Sequence, residues 1–130
     1  VYEPEWPCLK YWQEKEKIPL ENTLTIVDDL ALPLEKLRLR GTGSDAGHNG
    51  LKDIQHILGT DAYPKLRFGI GNKFPKGMQA DFVLGKWLPA EIPTVKYKIE
   101  KSVEIIESFA SIGLERTMSN VNNLIYSPKE

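Results

Sequence analysis

The sequence predicts an α/β domain with a parallel or mixed sheet. Two observations carry this prediction: short strand-like runs alternate along the chain with longer segments of helical spacing, and the run at residues 23–27 is apolar without polar alternation. The 130 residues fit one compact domain, 1–130, with ordinary contents of 41% hydrophobic and 27% charged residues. Only three strands are convincing, so a piece of the sheet is expected to be missing or to come from elsewhere.

The N-terminal quarter contains one predicted helix and one predicted strand. Residues 1–8 carry two prolines and predict irregular structure, and residues 9–17 predict a short charged helix. Residues 23–27 predict the central strand, because a strand covered on both faces is apolar throughout. That strand ends at Asp28 and Asp29.

The middle of the chain predicts a second strand, a loop and a helix. Residues 34–40 alternate between apolar and basic side chains, which predicts a strand with one buried face and one basic face. Leu37 and Leu39 form the buried face. The basic face consists of Lys36, Arg38 and Arg40. A glycine-rich loop follows at residues 41–47. Residues 48–58 then predict a helix, and Gly59 stands where a C-terminal cap belongs.

The C-terminal half predicts one more strand and the longest helix. Residues 65–71 alternate, which places Arg67 on a polar side, and residues 72–79 form a loop before a helical turn at residues 81–86. Residues 92–111 predict the long helix. Its apolar face is expected to consist of Ile92, Val95, Ile99, Val103, Ile106 and Ala110.

Two groups of residues could carry chemistry. Asp28 and Asp29 lie at the carboxyl end of a predicted strand, where open α/β sheets bind ligands, although acidic residues also simply begin turns. Gly47, His48 and Asn49 lie where a glycine-rich loop enters a helix, and the free N–H groups there suit a carbonyl, a phosphate or a water. A flexible linker with polar helix-initiating residues is the alternative.

A basic patch is the third candidate. Arg38 and Arg40 share one strand face, and Arg67 would join them in a phosphate-binding patch if the two strands are neighbours. The alternative is an ordinary solvated sheet face. The net charge of −1 means that any RNA contact must come from such a local cluster.

Several classes of site and location are not indicated by the sequence. Cys8 is the one cysteine, so no internal disulfide and no cysteine-based metal site is expected. No run approaches the length of a membrane span, and the N-terminus has no secretion-signal pattern. We therefore expect no metal, no cofactor and no membrane partner, and the cytoplasm is the expected location.

Four motifs resemble the bacterial-type peptidyl-tRNA hydrolase family. They are Ile26–Pro33 (IVDDLALP), Gly47–Ile54 (GHNGLKDI), Leu66–Gly71 (LRFGIG) and Asp81–Lys86 (DFVLGK), and the segment Lys36–Arg40 (KLRLR) between the first two matches as well. The resemblance extends from about residue 10 to residue 124. It implies a three-layer α/β fold with a mixed central sheet, and a monomeric, metal-independent esterase that releases the peptide from peptidyl-tRNA so that the tRNA is recycled.

The resemblance also implies residue roles. Asp28 would orient the catalytic histidine, and Asn49 would position the attacking water or the substrate carbonyl. His48, with Gly47 before it, would contact the peptide. Arg40 and Arg67 would form the basic pair that clamps the tRNA 5′ phosphate, with Arg38 beside them. Residues 72–86 would form a mobile lid over the cleft.

The N-terminal segment departs from the family pattern. The family's motif with the general-base histidine has no counterpart in these residues, and His48 is not expected to replace that base. We therefore expect an N-terminally truncated homologue, equivalent to the C-terminal portion of the family fold, with little or no activity alone. The alternatives are a non-catalytic tRNA-binding or RNA-binding homologue and an inactive fragment that associates through exposed sheet edges.

Overall fold

The structure is a computed structural model that describes residues 6–128 of the chain. The described elements are, in order, α1 (Trp6–Lys15), a 3-10 turn (Leu20–Asn22), β1 (Thr25–Asp29), β2 (Leu37–Arg40), α2 (Asn49–Leu58), β3 (Lys65–Gly69), α3 (Gln79–Val83), α4 (Ile92–Ile112) and α5 (Leu114–Ser119). The α/β class predicted from the sequence is confirmed.

The three described strands form one mixed sheet in the order β1-β3-β2. β1 runs parallel to β3, and β2 runs antiparallel to it. Among these three described strands the sequence-based choice of the central strand was therefore wrong, because β3 lies between the other two. The apolar run in β1 did not reveal this position, since Val27 is buried while Ile26 remains 48% exposed.

Helices cover both faces of the sheet, which gives the three layers expected from the sequence. One face packs against α1 and α2 through a cluster of buried residues comprising Val27, Leu51, Ile54 and Tyr63. The other face packs against α4 and the C-terminal segment through Leu37, Leu39, Leu66, Ile105, Val121 and Tyr126. Leu37 and Leu39 are buried and the intervening Arg38 is exposed, as the alternating pattern predicted.

Helix α1 begins earlier than the sequence suggested. Residues 6–8 are helical, although residues 1–8 were expected to be irregular. Pro7 does not oppose this start, because the first turn of a helix has no intrahelical partner for its N–H groups. The remainder of that irregular segment, residues 1–5, lies outside the described residues.

Helix α4 presents a different face to the sheet from the one its apolar spacing predicted. The buried residues are Val95, Lys98, Ser102 and Ile105. Ile99, Val103 and Ile106 from the predicted apolar face are 39–53% exposed. The spacing failed because Lys98 and Ser102 are buried polar residues that hydrogen-bond to backbone carbonyls, and a hydrophobic pattern does not register them.

The two edges of the sheet differ. Along β2, the Asn122 side chain accepts a hydrogen bond from the Leu39 N–H (2.7 Å) and donates one to the Leu39 carbonyl (2.9 Å). This amide therefore occupies the place of a neighbouring strand. β1 has β3 as its one neighbour among the described strands. Along a strand in a parallel pair, alternate residues direct their N–H and C=O groups to the partner, so those of Ile26 and Asp28 point away from β3. Association through this edge stays a prediction.

Lys98 fixes α4 to the sheet. Its ammonium donates hydrogen bonds to the carbonyls of Leu34 (2.5 Å) and Gly69 (2.6 Å) and lies 3.8 Å from the centre of the Phe68 ring. Burial lowers the pKa of Lys98 to about 8, because the ammonium loses its water, while the nearby Glu35 opposes this shift.

A first prediction uses two adjacent isoleucines of α4 as a matched pair. Ile105→Ala should lower the free energy of unfolding by about 2–4 kcal/mol, because it opens a cavity between α4 and the sheet. Ile106→Ala removes the same atoms from a side chain that is 39% exposed, and should cost less than about 1 kcal/mol. Urea denaturation of both variants checks the assignment of the buried face, and equal losses would contradict it.

A second prediction concerns pH. Because the pKa of Lys98 is lowered in the folded state from its usual 10.5 to about 8, the unfolded chain binds the proton more strongly between these values. Raising the pH from 7 to 9.5 should therefore increase the stability of the wild type relative to Lys98→Met, by roughly 1–2 kcal/mol. Denaturation of both proteins across this range measures the difference. A difference that stays constant or shrinks would contradict the prediction.

Candidate active site

The candidate site forms where the carboxyl end of β1 meets the start of α2. Helix α2 spans Asn49–Leu58 and is capped by Gly59 in a left-handed conformation (φ 73°), as the sequence predicted. His48 is the N-cap residue, and its ring nitrogen Nδ1 accepts a hydrogen bond from the Leu51 N–H (3.2 Å). The helix thus holds the imidazole at its own N-terminus, since the cap satisfies a backbone donor that has no partner in the helix.

Asp28 contacts the same imidazole. Its Oδ1 lies 2.9 Å from His48 Nε2, and both side chains are partly exposed. Because Nδ1 accepts from the Leu51 N–H, the proton of a neutral ring belongs on Nε2, which donates to Asp28. Both ring nitrogens are therefore engaged. The structure brings together two sequence-predicted site residues, but it pairs Asp28 with a different histidine from the one the resemblance implied.

Asp29, the neighbour of Asp28 in β1, contacts Arg67. Its Oδ2 lies 3.5 Å from Arg67 Nη1, and each side chain is only 11% exposed. Arg67 Nη2 also donates a hydrogen bond to the Ser44 carbonyl (2.6 Å). The sequence placed Arg67 on the polar side of its strand, in a phosphate-binding patch or on a solvated face, and did not predict its burial. The bridge between Asp29 and the loop compensates the loss of water around the guanidinium.

The predicted basic patch is divided by burial. β2 and β3 are neighbours, and Arg38 is the cross-strand partner of Arg67. Arg38 and Arg40 are exposed, whereas Arg67 is 9% exposed. Arg40 donates a hydrogen bond to the Leu39 carbonyl (3.0 Å). Two guanidiniums are therefore on the surface, and the third, on the neighbouring strand, is buried.

Gly47 and Asn49 flank the imidazole. Gly47 has φ 82°, a value that favours glycine, and its N–H donates a hydrogen bond to Asp45 Oδ1 (2.8 Å). Asn49 is the first residue of α2 and is exposed. Its amide stands next to His48 in the chain, where it is free to meet a ligand approaching the helix N-terminus.

A cleft of about 1130 Å³ opens beside Asp28. One wall is the connection between β1 and β2, including Leu30 and Leu32, and the other is α3 with the residues after it, including Phe82 and Trp87. Phe74 packs against Phe82 with ring centres 5.0 Å apart, so the loop before α3 and the helix itself form one wall. An apolar cleft next to a few polar groups is the usual form of a ligand site.

The described residues contain no cluster of three or more His, Cys, Asp or Glu side chains arranged to hold a metal ion. Within the same part of the chain, no helix combines the length and the apolar character that crossing a bilayer requires. The other histidine, His56, is exposed on α2.

The chemistry available at the site is that of binding and orienting a polar group. It combines a carboxylate, an imidazole with a fixed tautomer, an exposed amide and a helix N-terminus. Sequence reasoning named Asp29 with Asp28 as a candidate but did not predict its contact with Arg67, and it missed Ser44. No local signal identifies these contacts, because their common partner, Arg67, lies 23 residues beyond Ser44 in the chain.

Comparisons with known proteins agree on one family. The family model described as "Peptidyl-tRNA hydrolase" matches residues 8–129. The peptidyl-tRNA hydrolase of Parabacteroides distasonis is 52% identical over 116 residues, and that of Bacteroides fragilis is 55% identical over 115 residues. These alignments cover 89% and 88% of this chain and 62% of each relative.

A solved structure gives the same result for the fold. The crystal structure of peptidyl-tRNA hydrolase from Acinetobacter baumannii superposes with a TM-score of 0.83 at 25% identity. The match covers 97% of this chain and 63% of that chain. This chain therefore spans less than two thirds of the length of the relatives it matches.

A third prediction tests the capping role of His48. His48→Ala should lower the free energy of unfolding by about 0.5–2 kcal/mol, because the Leu51 N–H loses its acceptor. His48→Asn is the matched control, since asparagine is a strong N-cap residue and should stay within about 0.5 kcal/mol of the wild type. Thermal and urea denaturation measure both. If the two variants lose equal stability, the imidazole does not act through the cap.

Proposed function

Because this chain belongs to the peptidyl-tRNA hydrolase family, we propose that its site binds peptidyl-tRNA and serves hydrolysis of the ester that joins the peptide to the tRNA. The observation that carries the proposal is the contact between Asp28 and His48 (2.9 Å) beside the exposed Asn49. A carboxylate, an imidazole and an amide at a helix N-terminus can together orient an ester carbonyl and a water molecule.

We assign the polar residues of the site as follows. Asp28 orients the imidazole of His48, and His48 contacts the peptide next to the ester. Asn49 holds the attacking water or the substrate carbonyl. Gly47 permits the left-handed turn that brings the side chains of His48 and Asn49 to the site. The cleft beside Asp28, with its apolar walls, receives the part of the substrate adjoining the ester.

Hydrolysis also needs a base that accepts a proton from the attacking water. In this arrangement neither nitrogen of His48 is free, because Nε2 donates to Asp28 and Nδ1 accepts from the Leu51 N–H. We therefore propose that the 130 residues hold the substrate-positioning part of the site and turn over slowly by themselves. The proposal includes a cytoplasmic monomer that requires no metal or cofactor.

RNA contacts are assigned to the basic face of β2. Arg38 and Arg40 are exposed on one strand, and Arg67 lies beside Arg38 on β3. Guanidinium groups bind phosphate oxygens with paired hydrogen bonds. With 17 basic and 18 acidic residues in the chain, attraction to tRNA depends on this local cluster.

A second candidate function is tRNA or RNA binding without catalysis. It rests on the same exposed arginines, together with the engagement of both His48 nitrogens. The two functions differ in one measurable quantity, which is turnover of the ester. Binding to the RNA is common to both.

A fourth prediction separates these outcomes. The chain should bind tRNA with an affinity that falls as salt rises, and Arg38→Ala with Arg40→Ala should weaken binding by about tenfold and flatten the salt dependence. Arg116→Ala is the matched control, because Arg116 is exposed on α5, which packs on the Leu37 and Leu39 side of β2, opposite to Arg38 and Arg40. Filter binding across a salt series measures both. Absence of binding at low salt would contradict both candidate functions.

The same protein should be assayed for release of labelled peptide from peptidyl-tRNA. We expect a rate well below that of a full-length relative, because both ring nitrogens of His48 are engaged and neither is free to accept a proton. Rapid turnover that disappears in His48→Ala would show that His48 leaves the Leu51 N–H and acts as the base. Binding with no turnover at any pH would favour the non-catalytic function.

A further inference from the structure

We propose that the buried pair of Asp29 and Arg67 is a positioning device for the site. Arg67 fixes the glycine-rich loop, residues 41–47, through the carbonyl of Ser44. It thereby sets where His48 stands relative to Asp28. The meaning of this role for catalysis rests on the proposed function, but the geometry that supports it and the experiment that tests it do not require turnover.

The two adjacent aspartates of β1 hold the same loop at two points. Asp28 contacts His48 at the C-terminal end of the loop (2.9 Å). Asp29 contacts Arg67 (3.5 Å), and Arg67 donates to the Ser44 carbonyl in the middle of the loop (2.6 Å). The carboxyl end of one strand therefore determines the position of the whole connection between β2 and α2.

Asp29 is itself held firmly. Its Oδ1 accepts a hydrogen bond from the Ala31 N–H (2.8 Å), while its Oδ2 faces Arg67. Its carbonyl accepts a hydrogen bond from the Ile70 N–H (3.1 Å), which follows β3. A carboxylate that is 11% exposed and fixed on both oxygens is a rigid anchor, because moving it would leave the buried Arg67 guanidinium without its carboxylate.

The loop requires external restraint. Ala46 has φ 50°, a conformation that costs a residue with a Cβ atom about 1 kcal/mol, and Gly47 also has positive φ. The loop contributes no residue to either buried cluster. A loop with local strain and without apolar packing adopts one conformation only if polar contacts fix it.

The close approach of the guanidinium to the loop backbone supports this role. A Cβ atom on Gly43 would lie 3.1 Å from Arg67 Nη2, so the loop passes directly over the buried group. Two guanidinium nitrogens are already engaged with protein oxygens. A phosphate that reached Arg67 would meet a group that already positions the loop, whereas Arg38 on the adjacent strand is exposed.

The deciding experiment uses Arg67→Lys and Asp29→Asn in the whole chain, with Arg38→Lys as the matched control. Lysine keeps the charge but lacks the planar fork that reaches Asp29 and Ser44 together. Two quantities are measured: hydrogen exchange of the Gly47 and His48 amides, which bond within the loop to Asp45, and the nitrogen chemical shifts of the His48 ring, which report its tautomer.

We expect both site variants to speed exchange of these two amides at least tenfold and to shift the His48 ring from its Nε2–H form toward a mixture. The amides of β2 and β3 should change less than twofold. In Asp29→Glu, which keeps a carboxylate, the Gly47 and His48 amides should retain most of their protection from exchange. Arg38→Lys should leave the exchange rates of the Gly47 and His48 amides and the nitrogen shifts of the His48 ring unchanged.

Two results would overturn the proposal. Unchanged loop exchange and an unchanged His48 ring in both variants would show that the pair does not position the loop. Equal acceleration across the whole chain would show that the pair supports general stability instead. Neither result depends on tRNA binding or ester cleavage, so failure of the proposed function remains distinguishable from failure of this inference.

Discussion

The structure depends on burying three cations, each of which must meet an oxygen that replaces water. Among the described residues these are Lys65, Arg67 and Lys98. A buried charge without such partners costs several kcal/mol, so the loops that supply the oxygens are held in place as strictly as the core. Lys65 donates to the carbonyls of Asp61 (2.7 Å) and Tyr63 (3.0 Å), which fixes the chain entering β3.

The other two cations act in the same way on the connections that surround the candidate site. Arg67 joins β3 to the glycine-rich loop, and Lys98 joins α4 to the connection between β1 and β2 through the Leu34 carbonyl. Gly69 lets that connection approach β3, because a Cβ atom there would lie 2.1 Å from the Pro33 carbonyl oxygen. The candidate site is thus formed by loops whose positions are fixed by the buried cations of the sheet and of α4.

In the candidate site, the imidazole of His48 is engaged with two partners. His48 caps α2 and contacts Asp28, so the ring has a defined orientation and tautomer. This explains why a carboxylate–imidazole contact does not by itself imply a base: a base needs a nitrogen with a free lone pair facing the attacking water. The relatives that show the family are longer than this chain, which matches 62% of the length of each of them.

The sequence by itself determined the features whose causes are local. The alternation of Leu37 and Leu39, the limits of α2 between His48 and Gly59, and the family motifs all depend on residues close together in the chain. The long-range contacts were decided by the tertiary structure alone. The middle position of β3, the buried face of α4 and the bridge from Arg67 to Ser44 and Asp29 required partners far away in sequence.

The physical reason is that hydrophobic periodicity records which side chains avoid water, not which polar groups find a partner that replaces it. Lys98 and Arg67 have the pattern of surface residues and are buried because carbonyl and carboxylate oxygens from other elements meet them. Ile99 and Val103 have the pattern of core residues and stay half exposed. Only the folded chain brings those distant oxygens together.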